Sequence, residues 1–161
     1  MQLPTPYPVQ ITRHIWQTGV GYLIVADSGH AMFWDTDQRE SLYLDRFQKT
    51  MGFKSIDFMV PSHYHADHIG GMNEVKRNWR AKLWAMDHLV DILEHPSAYN
   101  LPSSWHEPMK VDRVLHDGEK INWEGIPLQF FYLPGQTEYT EGMLIEIDGQ
   151  KLLFDGDNVF N

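Results

Sequence analysis

The period of the apolar positions changes several times along the chain, and each change marks an element. Val9–Trp16 and Val20–Ala26 read as two strands joined through Thr18-Gly19, and His30–Trp34 reads as a third that ends at Asp35. From Gln38 to Met51 the apolar residues Tyr43, Leu44, Phe47 and Met51 recur at helical spacing, with Gly52 placed as a C-cap. Ile56–Val60 is a short apolar run of the kind a buried strand shows. Met72, Val75 and Trp79 predict another helix, and Lys82–Ala85 another strand. Asp87 then caps a helix carrying Leu89, Ile92 and Leu93, which Pro96 stops.

Beyond Pro96 the pattern becomes β-like. Residues 96–109 form a long loop rich in Pro, Ser and aromatics. Ile121–Trp123, Pro127–Leu133, Met143–Ile147 and Lys151–Phe154 follow as strands, the last two turned by Asp148-Gly149. Strands alternating with helices, then a run of antiparallel strands, predict an α/β fold with a mixed sheet and helices packed outside it. The Trp residues at 16, 34, 79 and 84 fall on strand or helix positions and are read as core.

Composition narrows the function classes. The 161 residues fit one domain, and 13 Lys+Arg against 22 Asp+Glu give a net charge of −9. That balance argues against a surface that tracks nucleic acid or an anionic membrane. The absence of cysteine excludes disulfides, thiolate metal sites and thiol nucleophiles. The first eight residues read as an extended lead-in without the basic and apolar segments of a secretory signal. No run approaches the ~18 apolar residues of a membrane span. A cytoplasmic protein is expected, with homo-oligomer formation left open.

One segment carries chemistry: Pro61-Ser62-His63-Tyr64-His65-Ala66-Asp67-His68-Ile69-Gly70-Gly71. In an extended loop residues two apart point the same way, so His63 and His65 can converge on one point. Asp67 and His68 follow where the chain turns toward a helix and can serve a second point nearby. Gly70-Gly71 lets backbone pack closely behind them. Neutral imidazoles with a carboxylate suit zinc, and iron or manganese less selectively. Nine histidines make single ones uninformative, but this spacing arises by chance in roughly two chains in a thousand of this composition.

The His-x-His-x-Asp-His pattern at 63–68 resembles that of the metallo-β-lactamase superfamily, and other features follow in the family's order. Asp35-Thr36-Asp37 stands where the family has Asp-Thr-Gly, Pro134-Gly135-Gln136-Thr137 where it has Pro-Gly-His-Thr, and Gly156-Asp157 resembles its Gly-Asp element. The resemblance implies an αββα sandwich, represented by its N-terminal half and part of the second. It implies two metal ions, zinc first and iron or manganese as alternatives. One would be held by His63, His65 and the residue at 136, the other by Asp67 and His68, with Asp157 bridging. Asp67 would also orient a metal-bound water nucleophile, and Asp35 would support a ligand histidine from behind.

Gln136 departs from the family's histidine. Its amide oxygen is a poorer ligand, so the site is expected to be weaker, mononuclear or completed by another group. His116 is a conceivable substitute, but a surface histidine beside a turn is the reading that carries more weight. Tyr99, Trp105 and His106 could line a pocket or simply pack, and Asp155 reads as a turn carboxylate. The implied activity is metal-dependent hydrolysis of a small-molecule ester, thioester, lactone or lactam. An iron-dependent oxygenase and a non-catalytic relative are the alternatives. The family's last half-sheet, helices and final histidine do not occur before Asn161. Residues 1–161 are therefore expected to be an incomplete domain, inactive alone and prone to associate through Leu128, Phe130, Phe131, Leu144, Ile145, Leu152 and Phe154.

Overall fold

A computed structural model describes residues 8–159, so the expected lead-in lies outside the described residues except for Pro8. The elements run β1 (Val9–Gln10), β2 (Ile15–Gln17), β3 (Tyr22–Val25), β4 (His30–Trp34), α1 (Gln38–Leu42), α2 (Leu44–Met51), β5 (Ser55–Val60), α3 (Ala66–Ile69), α4 (Met72–Trp79), β6 (Lys82–Met86), α5 (Asp87–Glu94), β7 (Arg113–Leu115), β8 (Lys120–Trp123), β9 (Ile126–Tyr132), β10 (Glu141–Ile147) and β11 (Gln150–Phe154). A seven-stranded sheet has the order β1 to β7, antiparallel up to β4 and parallel from β4 to β7. A four-stranded antiparallel sheet, β11-β10-β9-β8, packs against it.

The two faces of β4 explain the layering. Ala31 and Phe33 join one core with Leu44 and Phe47 of α2, Val75 of α4 and Leu89 of α5. Met32 and Trp34, the alternate residues, join a second core with Phe58, Leu128, Phe130, Met143, Ile145 and Phe154 between the sheets. Both faces of β4 and β5 are covered, which is why these strands read as unbroken apolar runs. Helix layer, seven-stranded sheet and four-stranded sheet thus reproduce three layers of the expected sandwich.

Several expectations change. The helix expected over 38–51 is two helices, broken at Tyr43 (φ −108°, ψ 8°). The first strand is interrupted after Gln10, where the amides of Ile11 and Thr12 both turn to the Ile15 carbonyl. Asp87 is the first residue of α5 and not its cap; Met86 holds that place with extended backbone. Trp34 is core, whereas Trp16, Trp79 and Trp84 are half-buried. The apolar exposure expected on the second sheet is also corrected. Leu128, Phe130, Ile145 and Phe154 are buried because the first sheet already covers their face, and Phe131, Leu144 and Leu152 are half-buried.

The start of α1 contains a buried carboxyl with a measurable consequence. Asp37 and Glu40 form a capping box, Asp37 Oδ1 accepting from Glu40 N at 2.6 Å and Glu40 Oε2 from Asp37 N at 2.7 Å. Glu40 Oε1 also accepts from Thr18 Oγ1 at 2.8 Å and Gly21 N at 2.9 Å. Burial nevertheless pushes the Glu40 carboxyl up from 4.5 to about 7, against these donors. The folded state therefore holds the proton more tightly than the unfolded chain. Glu40's contribution is fullest below its unfolded pKa, declines as pH rises and is lost above about 7. The span is worth roughly 3 kcal/mol. The stability difference between the protein and Glu40→Gln, followed by denaturant titration, should shrink by that much between about pH 4 and pH 8. A difference that stays constant with pH would refute the linkage.

Candidate metal centre

The parallel strands β4 and β5 end side by side, and the chemistry gathers beyond their carboxyl ends, where open parallel sheets commonly bind ligands. Asp35 follows β4 in the left-handed region (φ 56°) and is buried. Ser62 and His63 follow β5, with Ser62 N donating to Asp35 Oδ1 at 2.6 Å. His65 is still extended (φ −64°, ψ 143°), and α3 begins at Ala66, so Asp67 and His68 sit on a helical turn. The loop is clamped from two sides. Ala66 N donates to Ser103 O, and Thr36 N donates to His68 O at 2.7 Å. Gly71 lies so close to the β4–α1 connection that a Cβ there would stand 2.1 Å from the Asp37 carbonyl oxygen.

This scaffold brings the sequence candidates together. The His63 ring lies 4.4 Å from that of His65 and 4.2 Å from that of His68, centre to centre. His68 Nδ1 is 2.9 Å from Asp35 Oδ2, and its Nε2 is 3.3 Å from Asp157 Oδ2 and 3.8 Å from Asp67 Oδ2. His63, His68 and Asp157 each offer a ligand atom within 4.8 Å of the other two. Asp157, placed by the turn after β11, therefore reaches across from the second sheet. Asp35 stands behind His68, its Oδ2 against Nδ1.

The electrostatics suit a cation. His63 Nδ1 is 2.8 Å from Ser62 Oγ, but its Nε2 is buried with no hydrogen-bond partner in the protein. An orphaned nitrogen of this kind costs free energy unless something else meets it. Burial, aided by the neighbouring His68 and His65, drives the His63 ring down to about 3, so it is a neutral donor. Burial lowers His65 as well. At His68 burial also opposes the charged form, but Asp35, Asp157 and Asp67 together outweigh it and raise the ring to about 9. A cation among these groups would replace that proton, and the neutral imidazoles with carboxylates match the donor preference of zinc.

Gln136 lies in the connection from β9 to β10 and is exposed. Its Nε2 donates to Asp157 Oδ2 at 3.0 Å, and its backbone N donates to Asn158 Oδ1 at 2.8 Å. A groove of about 390 Å³ opens beside the centre, lined by Tyr22, Trp34, His68, Leu152, Phe154 and Asp157. Of the remaining candidates, Asp155 alone borders that groove. His116 pairs with Asp87 at 3.2 Å on the surface, and the Tyr99 hydroxyl donates to Asp91. Trp105 packs toward Gly70, with His106 against its ring, and Asp155 lines the groove.

Sequence reasoning missed Ser62 and Asn158. Ser62 joins Asp35, His63 and, through its carbonyl, Glu141 N at 2.8 Å. Its place inside the histidine segment was the available signal. Asn158, which anchors Gln136 and donates to Leu133 O, carries no local signal.

Known proteins resemble this chain in sequence and in fold. The hydroxyacylglutathione hydrolase of Aeromonas salmonicida is 30% identical over 108 residues, 66% of this chain and 34% of its own length. An atrochrysone carboxyl ACP thioesterase of a Cryptosporiopsis species is 24% identical over 143 residues, covering 88% of this chain and 38% of its own. The class B3 di-zinc metallo-beta-lactamase LRA-12 from an Alaskan soil metagenome shares the fold, with a TM-score of 0.78 at 24% identity over 92% of this chain and 61% of its own. The chain thus spans less than two thirds of each of these proteins. The sequence model of the metallo-beta-lactamase superfamily matches residues 20–161, and the chain belongs to that superfamily.

Proposed function

We propose that this protein is a metal-dependent hydrolase acting on a small-molecule ester, thioester, lactone or lactam. The observation that carries the reading is the buried, unpartnered His63 Nε2, which converges with His68 and Asp157 at the carboxyl ends of β4 and β5. The names of the two relatives, a hydrolase and a thioesterase, support acyl transfer to water. Zinc is the proposed ion, held by donors drawn from His63, His65, Asp67, His68 and Asp157. When bound, it would polarise the acyl oxygen and bring the pKa of a coordinated water to about 7.

The chain's own groups supply the rest. Asp35 keeps the proton of His68 on Nδ1, leaving Nε2 free to ligate. Asp67, exposed at the rim of the centre, is placed to accept a proton from the attacking water and return it to the leaving oxygen, sulfur or nitrogen. Hydrolysis then balances, with hydroxyl added to the acyl carbon and a proton to the departing group. The full-length protein stripped of metal should be inactive on a panel of activated esters, thioesters, lactones and lactams, and zinc should restore turnover. The rate should rise with pH through an apparent pKa near ~7. Iron content with oxygen uptake and no hydrolysis would overturn the proposal.

A further inference from the structure

We infer that a protonated His14, bonded at both ring nitrogens, clasps the tip of the β10–β11 hairpin to the first sheet, and that loss of its proton loosens this closure of the sandwich. The clasp lies at the end remote from the metal centre, where β3 ends, β4 begins and the Asp148-Gly149 turn joins the two hairpin strands. It does not depend on the metal-hydrolase reading. Three segments meet at the ring. His14 stands in the turn between β1 and β2, which is tied to β3 because Val25 N donates to the His14 carbonyl at 2.9 Å. Asp148 reaches over from the second sheet. Its Oδ1 lies 2.5 Å from His14 Nδ1, and its Oδ2 accepts from His14 N at 3.1 Å and from Thr12 Oγ1. Asp27, in the β3–β4 turn, places Oδ1 3.1 Å from His14 Nε2.

The protonation state follows from elementary hydrogen-bond chemistry. An ionised carboxylate can only accept, and a neutral imidazole has one N–H for two such partners. Only the imidazolium donates at both nitrogens. The side chains of His14 and Asp148 are just 15% and 14% exposed, so water does little to replace their bond. Burial opposes the charge, but the bonds to Asp27 and Asp148 outweigh it and raise the ring above its ordinary 6.5. The other charges around the clasp have partners of their own. Arg13, on the same turn, pairs with Asp27 at 2.6 Å, and both are exposed. Lys54, between α2 and β5, borders the same hollow and donates to Ser28 O at 2.8 Å. On the hairpin Lys151 pairs with Glu146 at 2.8 Å. Because the clasped ring binds its proton more tightly than a free one, closure is fullest below 6.5 and is lost as pH rises through the higher value. Thr12 and the His14 amide still hold Asp148 Oδ2, so the tip loosens without detaching.

The test is an NMR titration of the full-length protein. The His14 ring signals, assigned by their absence from His14→Gln, are followed with pH. Amide exchange is read at Ile147 and Gln150, the last pair of the hairpin ladder. The ring is expected to titrate above 6.5, and to fall toward that value in Asp148→Asn. That variant keeps the side chain's size, and asparagine tolerates the left-handed backbone at 148 (φ 54°). Protection of the two amides, corrected for intrinsic exchange, should drop at least about threefold across the His14 titration. Amides of the Met143–Phe130 pair, in the middle of the sheet, should show no such step. In His14→Gln the tip should be poorly protected at every pH. Circular dichroism shows whether each variant folds, and the titration of the parent protein stands without them. A ring that titrates at or below 6.5 would overturn the inference. So would a ring unmoved by Asp148→Asn, or tip protection indifferent to the His14 titration.

Discussion

Asp35→Asn is expected to weaken metal binding by roughly 10- to 100-fold although it changes no side-chain volume. Asp35 is buried, and each of its oxygens accepts one bond: Oδ1 from Ser62 N at 2.6 Å, Oδ2 from His68 Nδ1 at 2.9 Å. An asparagine has one acceptor to offer where two are needed. If its oxygen stays on the Ser62 amide, its NH₂ group faces His68 Nδ1. The imidazole then accepts there and carries its proton on Nε2, the atom a metal requires. If the amide flips, Ser62 N loses its partner and the turn that places His63 is strained. Backbone strain does not confuse the experiment, because asparagine tolerates the left-handed conformation that Asp35 adopts at φ 56°. Competition titration against a chromogenic chelator reads the affinity directly. Unchanged affinity would mean that another group fixes the tautomer, and Ser62 Oγ, 3.4 Å from His68 Nδ1, would be the one to examine.

The same pair shows what a sequence reveals and what it hides. The histidines, Asp67 and the strand leading into them are local, and their spacing alone predicted His63 and His65 at one point with Asp67 and His68 at a second nearby. Asp35 and Asp157 came only through resemblance, because their partners lie far along the chain and depend on which strands become neighbours. β4 and β5 were legible as strands in two apolar runs, since burial on both faces leaves no alternation to misread, but their pairing required the fold. β7 was not, because two of its three residues are exposed and an edge strand needs no apolar face. The break at Tyr43 was equally hidden. The apolar spacing from Tyr43 to Met51 continues through it, and only the backbone turn at Tyr43 separates α1 from α2. Gln136 could be recognised as a departure from the sequence, but its bond to Asp157 required the fold.

Phe58→Ala should cost about 3–5 kcal/mol, the largest effect on stability expected from one substitution in the inter-sheet core. Phe58 sits in the middle of β5 and is almost wholly buried. Its ring stacks on Trp84 at 3.7 Å and 5° between planes, and meets Trp123 edge-on at 5.6 Å. Trp84 belongs to β6 of the first sheet and Trp123 to β8 of the second, so one ring joins neighbouring strands and both layers. Trp123 Nε1 also donates to Asp57 Oδ2 at 3.0 Å, which fixes the indole and limits how far it can move to fill a void. The transfer loss and the residual cavity therefore add, and aromatic pairing contributes a further ~0.5–1.5 kcal/mol per pair beyond area. Total domain stability is ~5–15 kcal/mol, so the variant should unfold at a clearly lower urea concentration with an unchanged slope. Leu153→Ala, on an exposed side chain of β11, should stay within about 0.5 kcal/mol and serves as the control. Because β5 runs directly into Ser62 and His63, Phe58→Ala should also loosen the metal centre below the unfolding transition. A loss under about 1 kcal/mol would show that Trp84 and Trp123 close over the gap, and that the sheets are joined elsewhere.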